Sequence, residues 1–173
     1  RFATLHLCLP CDPIQALPPP LLLCRGKGNV QVHEALSYHD KVVVRFQKKA
    51  YMDTDTLLKW IEFDFAPYKQ GLLREQPILM LSDNLAAQRK PEAVQAFRDH
   101  AQAEIGFGPK YLTHRWQPID QGWGQLWKQK LGWALENWIE ESDEHTDKWD
   151  GGKFSAKERR ILITHLVGAA SKE

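Results

Sequence analysis

The chain has 173 residues, 43% hydrophobic and 26% charged, which suits one globular domain with its own core. A net charge of +1 gives no bulk argument for a polyanionic partner; basic surface must come from clusters such as Arg45, Lys48 and Lys49, or Lys157, Arg159 and Arg160. No apolar run approaches a membrane span and no signal-peptide pattern opens the chain, while Arg rather than Met at position 1 reads as a fragment or excised domain.

Phe2 to Leu9 alternate like a strand with one better-buried face. Pro10, Pro13 and the run Pro18-Pro19-Pro20 then break any helix. Leu21 to Cys24 reads as a second strand, stopped by Gly26 and Gly28, and Val42 to Phe46 as a third. Three strands in succession predict an antiparallel meander. Asp53 or Thr54 caps a helix carrying Leu57, Leu58, Trp60, Ile61 and Phe65, which Pro67 is expected to end.

Ile78 to Leu81 is an unbroken apolar run between Pro77 and Asp83, the pattern of a strand buried on both faces. A helix from Pro91 to Glu104 follows, with Val94, Phe97 and Ala101 on one side and a loop or edge strand at 106–111. From Gln121 the chain is helical and rich in tryptophan: Trp123, Trp127, Trp133 and Trp138. The spacing reads as an amphipathic helix packed on a sheet, with a base-stacking platform as the alternative. Glu140 to Asp150 is acidic and solvated, and Ser155 with Glu158 makes a capping box before a last helix. The whole is an α/β chain, a mixed sheet flanked by helices.

Three cysteines do not make an even disulfide framework. Cys8 and Cys11 have the spacing of half a zinc site, which Cys24 and His33 would complete. Cys8 also lies in an alternating strand and Cys24 ends an apolar one, and reduced structural thiols are the plainer reading.

Two acids stand out, with 36 residues between them. Asp83 ends the apolar strand, where open α/β sheets present ligand-binding groups, although Asp83-Asn84 also suits a simple turn. Asp120 follows Gln117-Pro118-Ile119 at a helix start, where an acid is ordinary capping. Brought together, two such carboxylates hold divalent cations for cutting and joining phosphodiesters.

The wording around both acids resembles a known family. Gly26-Lys27-Gly28 precedes the third strand and Tyr51-Met52-Asp53-Thr54-Asp55-Thr56-Leu57-Leu58-Lys59-Trp60-Ile61 follows it. Then come Ile78-Leu79-Met80-Leu81-Ser82-Asp83-Asn84 and Thr113-His114-Arg115-Trp116-Gln117-Pro118-Ile119-Asp120-Gln121-Gly122, with Lys128 on the next turns. In this order they look like the catalytic domain of DDE superfamily endonucleases, in the pogo, Tigger and jerky-type transposase branch. The likeness runs from about residue 1 to about 131.

The resemblance implies a ribonuclease-H-like fold over residues 1–142, incomplete at the N-terminus; the acidic loop and C-terminal helix over 143–173 are read from charge and the capping box, and the last helix lies beyond the resemblance. The likeness implies three acids around two Mg²⁺ or Mn²⁺ ions, with Asp83 second and Asp120 third, a DNA partner, a nuclear location and no membrane. A homo-oligomer is left open. Basic side chains near the acids, Lys128, Lys130, Arg89 and Lys90, are the candidate DNA contacts, each also readable as a solvated charge.

Two departures qualify this. The family's first acid lies in an Asn-x-Asp-Glu type motif upstream of the strand at 2–9, which these residues do not contain; Asp12, Asp53 and Asp55 are not substitutes. Many members carry histidine five residues after the second acid, where this chain has Gln88. The isolated residues are therefore expected to be inactive or very weak. Two further readings stand beside the nuclease: a transposon-derived regulatory protein without the chemistry, and an α/β binding domain whose likeness is accidental.

Overall fold

The structure, a computed structural model, describes residues 2–12, 15–74, 76–109 and 111–171. Pro13, one of the predicted helix breakers, lies outside them. The strand β2, Leu21–Arg25, has its first four side chains at most 2% exposed. A strand apolar on both faces has to be covered from both sides, and it is. Leu21 joins Met52, Leu57, Trp60, Phe65 and Phe97 in one core. Leu22 and Cys24 join Val42, Trp127, Val167 and Ala170 in the other.

β1, Ala3–His6, pairs antiparallel with β2, placing Thr4 opposite Leu23. β3, Val43–Gln47, pairs parallel with β2, placing Leu22 opposite Val44. The expected antiparallel meander is thereby corrected. Parallel pairing needs a crossover of about a dozen residues or more. Residues 26–42 supply it, through a short helix α1, Val32–Ala35, that the sequence pattern does not signal.

α2, Thr54–Trp60, starts as expected: Asp53 Oδ1 accepts from the Thr56 amide at 2.9 Å. Pro67 does not end it. The chain passes through a π-helical turn, Ile61–Phe65, into α3, Ala66–Leu73, with Pro67 in the first turn of α3. The π turn shifts the hydrogen-bond register, so the proline's missing N–H falls where a new segment begins. The π turn is anchored to β3 by Arg45, whose Nε and Nη2 reach Asp64 Oδ2 at 2.9 and 2.6 Å. Lys69, only 1% exposed, donates to the Arg74 carbonyl at 2.8 Å and to Gln102 Oε1 at 3.0 Å, joining the end of α3 to the turn after α4.

β4, Ile78–Ser82, and β5, Ala103–Phe107, form a separate parallel pair joined through α4, Pro91–Ala101. β4 is not buried on both faces as its composition predicts. Ile78 and Met80 pack on the Trp60 core, but Leu79 is 69% and Leu81 64% exposed. Among the described residues there are thus two sheets, one mixed and one parallel, in place of the single sheet expected.

Beyond a short α5, Thr113–Trp116, lie α6, Gly124–Glu140, α7, Asp143–Asp150, and α8, Ala156–Ala170. The acidic stretch expected as a loop is the helix α7. Ser142 caps its N-terminus, Asp143 and Glu144 complement its dipole, and His145 stacks on Trp138 at 4.1 Å. The capping box of α8 forms as read, with Ser155 N to Glu158 Oε2 at 2.9 Å and Glu158 N to Ser155 Oγ at 3.2 Å. In α6 only Trp127 is buried; Trp133 is 55% exposed, and Trp123, just before the helix, is 41% exposed. Among the described residues no helix is long and apolar enough to cross a membrane.

α8 is held by an ion pair whose acid is buried and whose arginine is half-buried. Arg160 Nε donates to Glu34 Oε1 at 2.7 Å, the Tyr38 hydroxyl donates to the same oxygen at 2.7 Å, and the guanidinium lies 5.7 Å from the Phe46 ring centre. Burial and the bond to Glu34 push the Tyr38 phenol up to about 12. Removing one member of a buried pair strands the other charge and costs about 3–5 kcal/mol. Arg160→Met is expected to lose that much in urea denaturation. The bond from Arg160 holds the Glu34 carboxyl below its ordinary 4.5. A carboxyl depressed on folding stabilises above the unfolded value, so wild-type stability should fall as pH drops below about 4.5 and this acid limb should shrink in Arg160→Met.

Candidate active site at the end of β4

Parallel strands open their carboxyl ends to ligands, and Asp83 is the first residue past β4. Its Oδ1 accepts from the Leu85 amide at 3.2 Å, an Asx turn that carries the chain off the strand. The neighbouring Asn84 Nδ2 donates to the Gly108 carbonyl at 2.8 Å, tying the end of β4 to the end of β5. Asn84 is therefore a clamp between two strand ends as well as a turn residue.

Gln88 is buried at 8% exposure beneath this turn. In the amide orientation its surroundings select, its NH₂ donates to Asp83 Oδ1, to the Asp83 carbonyl at 3.1 Å and to Ser82 Oγ at 2.6 Å. Gln88 is thus a neutral side chain that orients Asp83. His6, on β1, faces the same region. Burial lowers its basicity, partly offset by the Asp83 charge, and its ring meets Trp60 edge-on at 4.9 Å. Sequence reading passed over His6 because a lone histidine in an alternating strand carries no motif.

Asp83, Gln88 and His6 line a cleft of about 660 Å³ together with Trp116, Gln117 and Ile119. Trp116 lies so close to Gly108 that a Cβ there would sit 1.9 Å from the indole, so only glycine lets the α5 segment approach the end of β5. This brings the Gln117-Pro118-Ile119 run up to the Asp83 turn. Asp120, the next residue, is exposed in a wide turn, Ile119–Trp123, which kinks at Gly122 (φ 130°) before α6. No side-chain capping bond forms there, so a hydrogen-bonding cap is not what Asp120 supplies; it stands in the first turn, where the helix dipole favours an acid. Among the described residues no three His, Cys, Asp or Glu side chains gather into a metal-binding group.

Of the basic candidates, Lys128 is exposed on α6 and Lys130 is half-buried. Arg89 is exposed with its guanidinium 5.9 Å from the Phe107 ring centre at the end of β5, and Lys90 lies 3.9 Å from Glu92. Arg45 and Arg160, from the clusters noted in the sequence, are engaged by Asp64 and Glu34. The four residues of the zinc alternative are not brought together. Cys8, its thiol pushed up to about 11 by burial, and the exposed Cys11 both line the cleft, but Cys24 belongs to the opposite core and His33 is exposed on α1.

A family model for the DDE superfamily endonucleases matches residues 2–163. The chain belongs to that family. The match runs past the motif likeness near residue 131, through α7 and into α8. DDE endonucleases act on DNA and generally use divalent metals. No curated protein and no solved structure matches the chain.

The Gln88 contacts make a direct prediction for this DDE domain. Gln88→Leu keeps the volume but leaves the Asp83 carboxylate and Ser82 Oγ without their buried partner. It should cost about 1–3 kcal/mol in urea denaturation; unchanged stability would mean that the amide does not hold Asp83.

Proposed function

We propose that this chain is the DDE endonuclease domain of a pogo, Tigger or jerky-type transposase, or of a protein derived from one, with a ribonuclease-H-like arrangement. The observation that carries the reading is the placement of Asp83 past a parallel strand, in one cleft with the residues leading into Asp120, in a chain whose family match is nearly complete. Asp83 and Asp120 are assigned as the second and third acids. None of these residues is assigned as the first acid, and on this reading the protein acts on DNA in the nucleus.

The residues present fit a hard divalent cation. Asp83 offers a carboxylate whose described bonds all engage Oδ1, and Asp120 is an exposed carboxylate. Bound Mg²⁺ or Mn²⁺ would activate water and stabilise the leaving oxygen of a phosphodiester. The protein's own part is orientation: Gln88 and the Leu85 amide fix the Asp83 carboxylate, and the Asn84–Gly108 bond fixes the turn that bears it. Lys128 is assigned to the DNA backbone as a point charge. A second reading, a DNA-binding protein without cleavage, is favoured by Gln88, which orients the carboxylate but cannot titrate.

With two of three acids, the 173 residues should show little or no Mg²⁺-dependent nicking of a supercoiled plasmid. Robust turnover abolished by Asp120→Asn would overturn the assignment of a missing acid. For DNA binding, Lys128→Ala should weaken affinity and reduce the slope of log affinity against log salt by about 0.9, one phosphate contact. An unchanged slope removes Lys128 from the interface.

A further inference from the structure

The basic cluster legible in the sequence around β3 splits on folding. Arg45 turns inward to Asp64, but Lys48 and Lys49 stay exposed just past the strand. Because β2 runs parallel to β3, with Arg25 opposite Gln47, the exposed Arg25 and Lys27 come to the same end of the sheet. The Gly26 amide donates to the Gln47 carbonyl at 3.1 Å, so the loop after β2 and the turn after β3 are joined.

Both segments are fixed in place. The Gln47 carbonyl accepts from the Ala50 amide at 3.0 Å, and Gln47 Oε1 accepts from the Lys49 and Tyr51 amides at 2.6 and 3.2 Å. Ala50 is fully buried, and Thr4 Oγ1 donates to its carbonyl at 2.6 Å, which pins the turn to β1. On the other segment, a Cβ at Gly26 or Gly28 would meet Phe46 at 3.4 Å, so the backbone around Lys27 lies against that side chain.

Like charges held together on fixed segments repel one another unless an anion joins them. Among the described residues no acid lies within salt-bridge distance of Arg25, Lys27, Lys48 or Lys49. Asp53, the next acid along the chain, is engaged by Gln47 Nε2 at 3.0 Å and the Thr56 amide at 2.9 Å. The N–H groups of Lys27, Gly28 and Asn29 have no acceptor among the described residues either.

This ledge stands at the Asp83 end of the sheets. Cys8, just past β1, is close enough to Tyr68 on α3 to act on it electrostatically. Next to Tyr68, Lys69 bonds to Gln102, whose carbonyl accepts from the Ile78 amide at the start of β4. The end of β1 therefore lies towards the start of β4. β2 runs antiparallel to β1, the Arg25 amide meeting the Phe2 carbonyl at 2.8 Å, so it sends its own end towards Asp83.

We propose that Arg25, Lys27, Lys48 and Lys49 form a second DNA contact, a ledge that holds the phosphate backbone of the duplex whose strand reaches the Asp83 cleft. The ledge rests on the DNA-acting domain proposed above and adds to it a contact on β2 and β3 rather than on α6. Duplex DNA is favoured over other polyanions because the same end of the sheets carries the acid assigned to phosphodiester chemistry. Contacts of this kind fix register and orientation and read no sequence. Segments already held by Gln47 and Phe46 lose little freedom when the backbone docks.

The test uses the whole chain and a random-sequence duplex of about 30 base pairs, roughly three helical turns. Lys27→Gln, Lys48→Gln and Lys49→Gln are combined in one variant; all three positions are exposed, so its urea midpoint should match the wild type. Affinity should fall about tenfold or more, and the slope of log affinity against log salt by about 2.7, three phosphate contacts. In the wild type, bound duplex should shield the same three lysines from acetylation by acetic anhydride, read by mass spectrometry. That readout needs no variant, and equal acetylation with and without DNA overturns the ledge. An unchanged salt slope in the triple variant, with Lys128→Ala still lowering it, overturns the ledge and leaves the DNA reading standing. Wild-type protein with no salt-dependent DNA binding overturns both. Binding to phosphatidylserine vesicles that the triple variant loses, with its DNA affinity unchanged, overturns the proposal by assigning the ledge to a membrane surface.

Discussion

The burial of β2 on both faces is the constraint on which the rest of the structure depends. Four consecutive side chains, Leu21 to Cys24, are closed to solvent, and a strand can achieve this only between two covering layers. α2, the π turn, α3 and α4 cover one face through Trp60, Phe65 and Phe97; α6 and α8 cover the other through Trp127 and Val167. The π turn is part of this requirement. It lets one helical rod continue past Pro67, keeping Phe65 in the core and Tyr68 packed against it. The Glu34–Arg160 pair then locates α8 against α1 and the sheet, which makes the C-terminal helix an integral layer of the fold.

The candidate site follows from where β4 ends. Hydrophobic packing of Ile78 and Met80 fixes the strand, and the Asp83, Asn84 and Gln88 contacts convert its end into a rigid turn. The absence of a side chain on Gly108 lets Trp116 pack against the end of β5 and bring the segment before Asp120 to the same cleft. Carboxylate positioning therefore comes from neutral groups and close backbone packing. A neutral amide at position 88 orients Asp83 without adding a competing charge.

Much of this was legible in the sequence. The first four strand positions, the Asp53 and Ser155 caps and the first-position Pro91 are local features, set by residues within one turn of each other, and each formed close to where the pattern placed it. The fifth strand did not, since the helix expected to reach Glu104 ends at Ala101 and β5 occupies 103–107 rather than 106–111. Asp83 past a strand and Asp120 near a helix start were legible for the same reason. The failures were non-local. An apolar run such as Leu21–Cys24 and one such as Ile78–Leu81 look alike, yet only the first is covered on both faces. The meander failed because three strands in a row do not state whether the link between the last two is a hairpin or a crossover.

The sequence by itself determined the α/β class, most element positions, the family, and the places of Asp83 after a strand and Asp120 near a helix start, because periodicity, caps and motif residues act over short spans. Only the tertiary structure decided the parallel pairing of β2 with β3, the division into two sheets, the pairing of Arg45 and Arg160 with acids, and the contacts of Gln88, His6 and Trp116. Each of these depends on which residues distant in the chain share a core or a hydrogen bond. That choice is made by the burial of whole faces, which no local window of residues records.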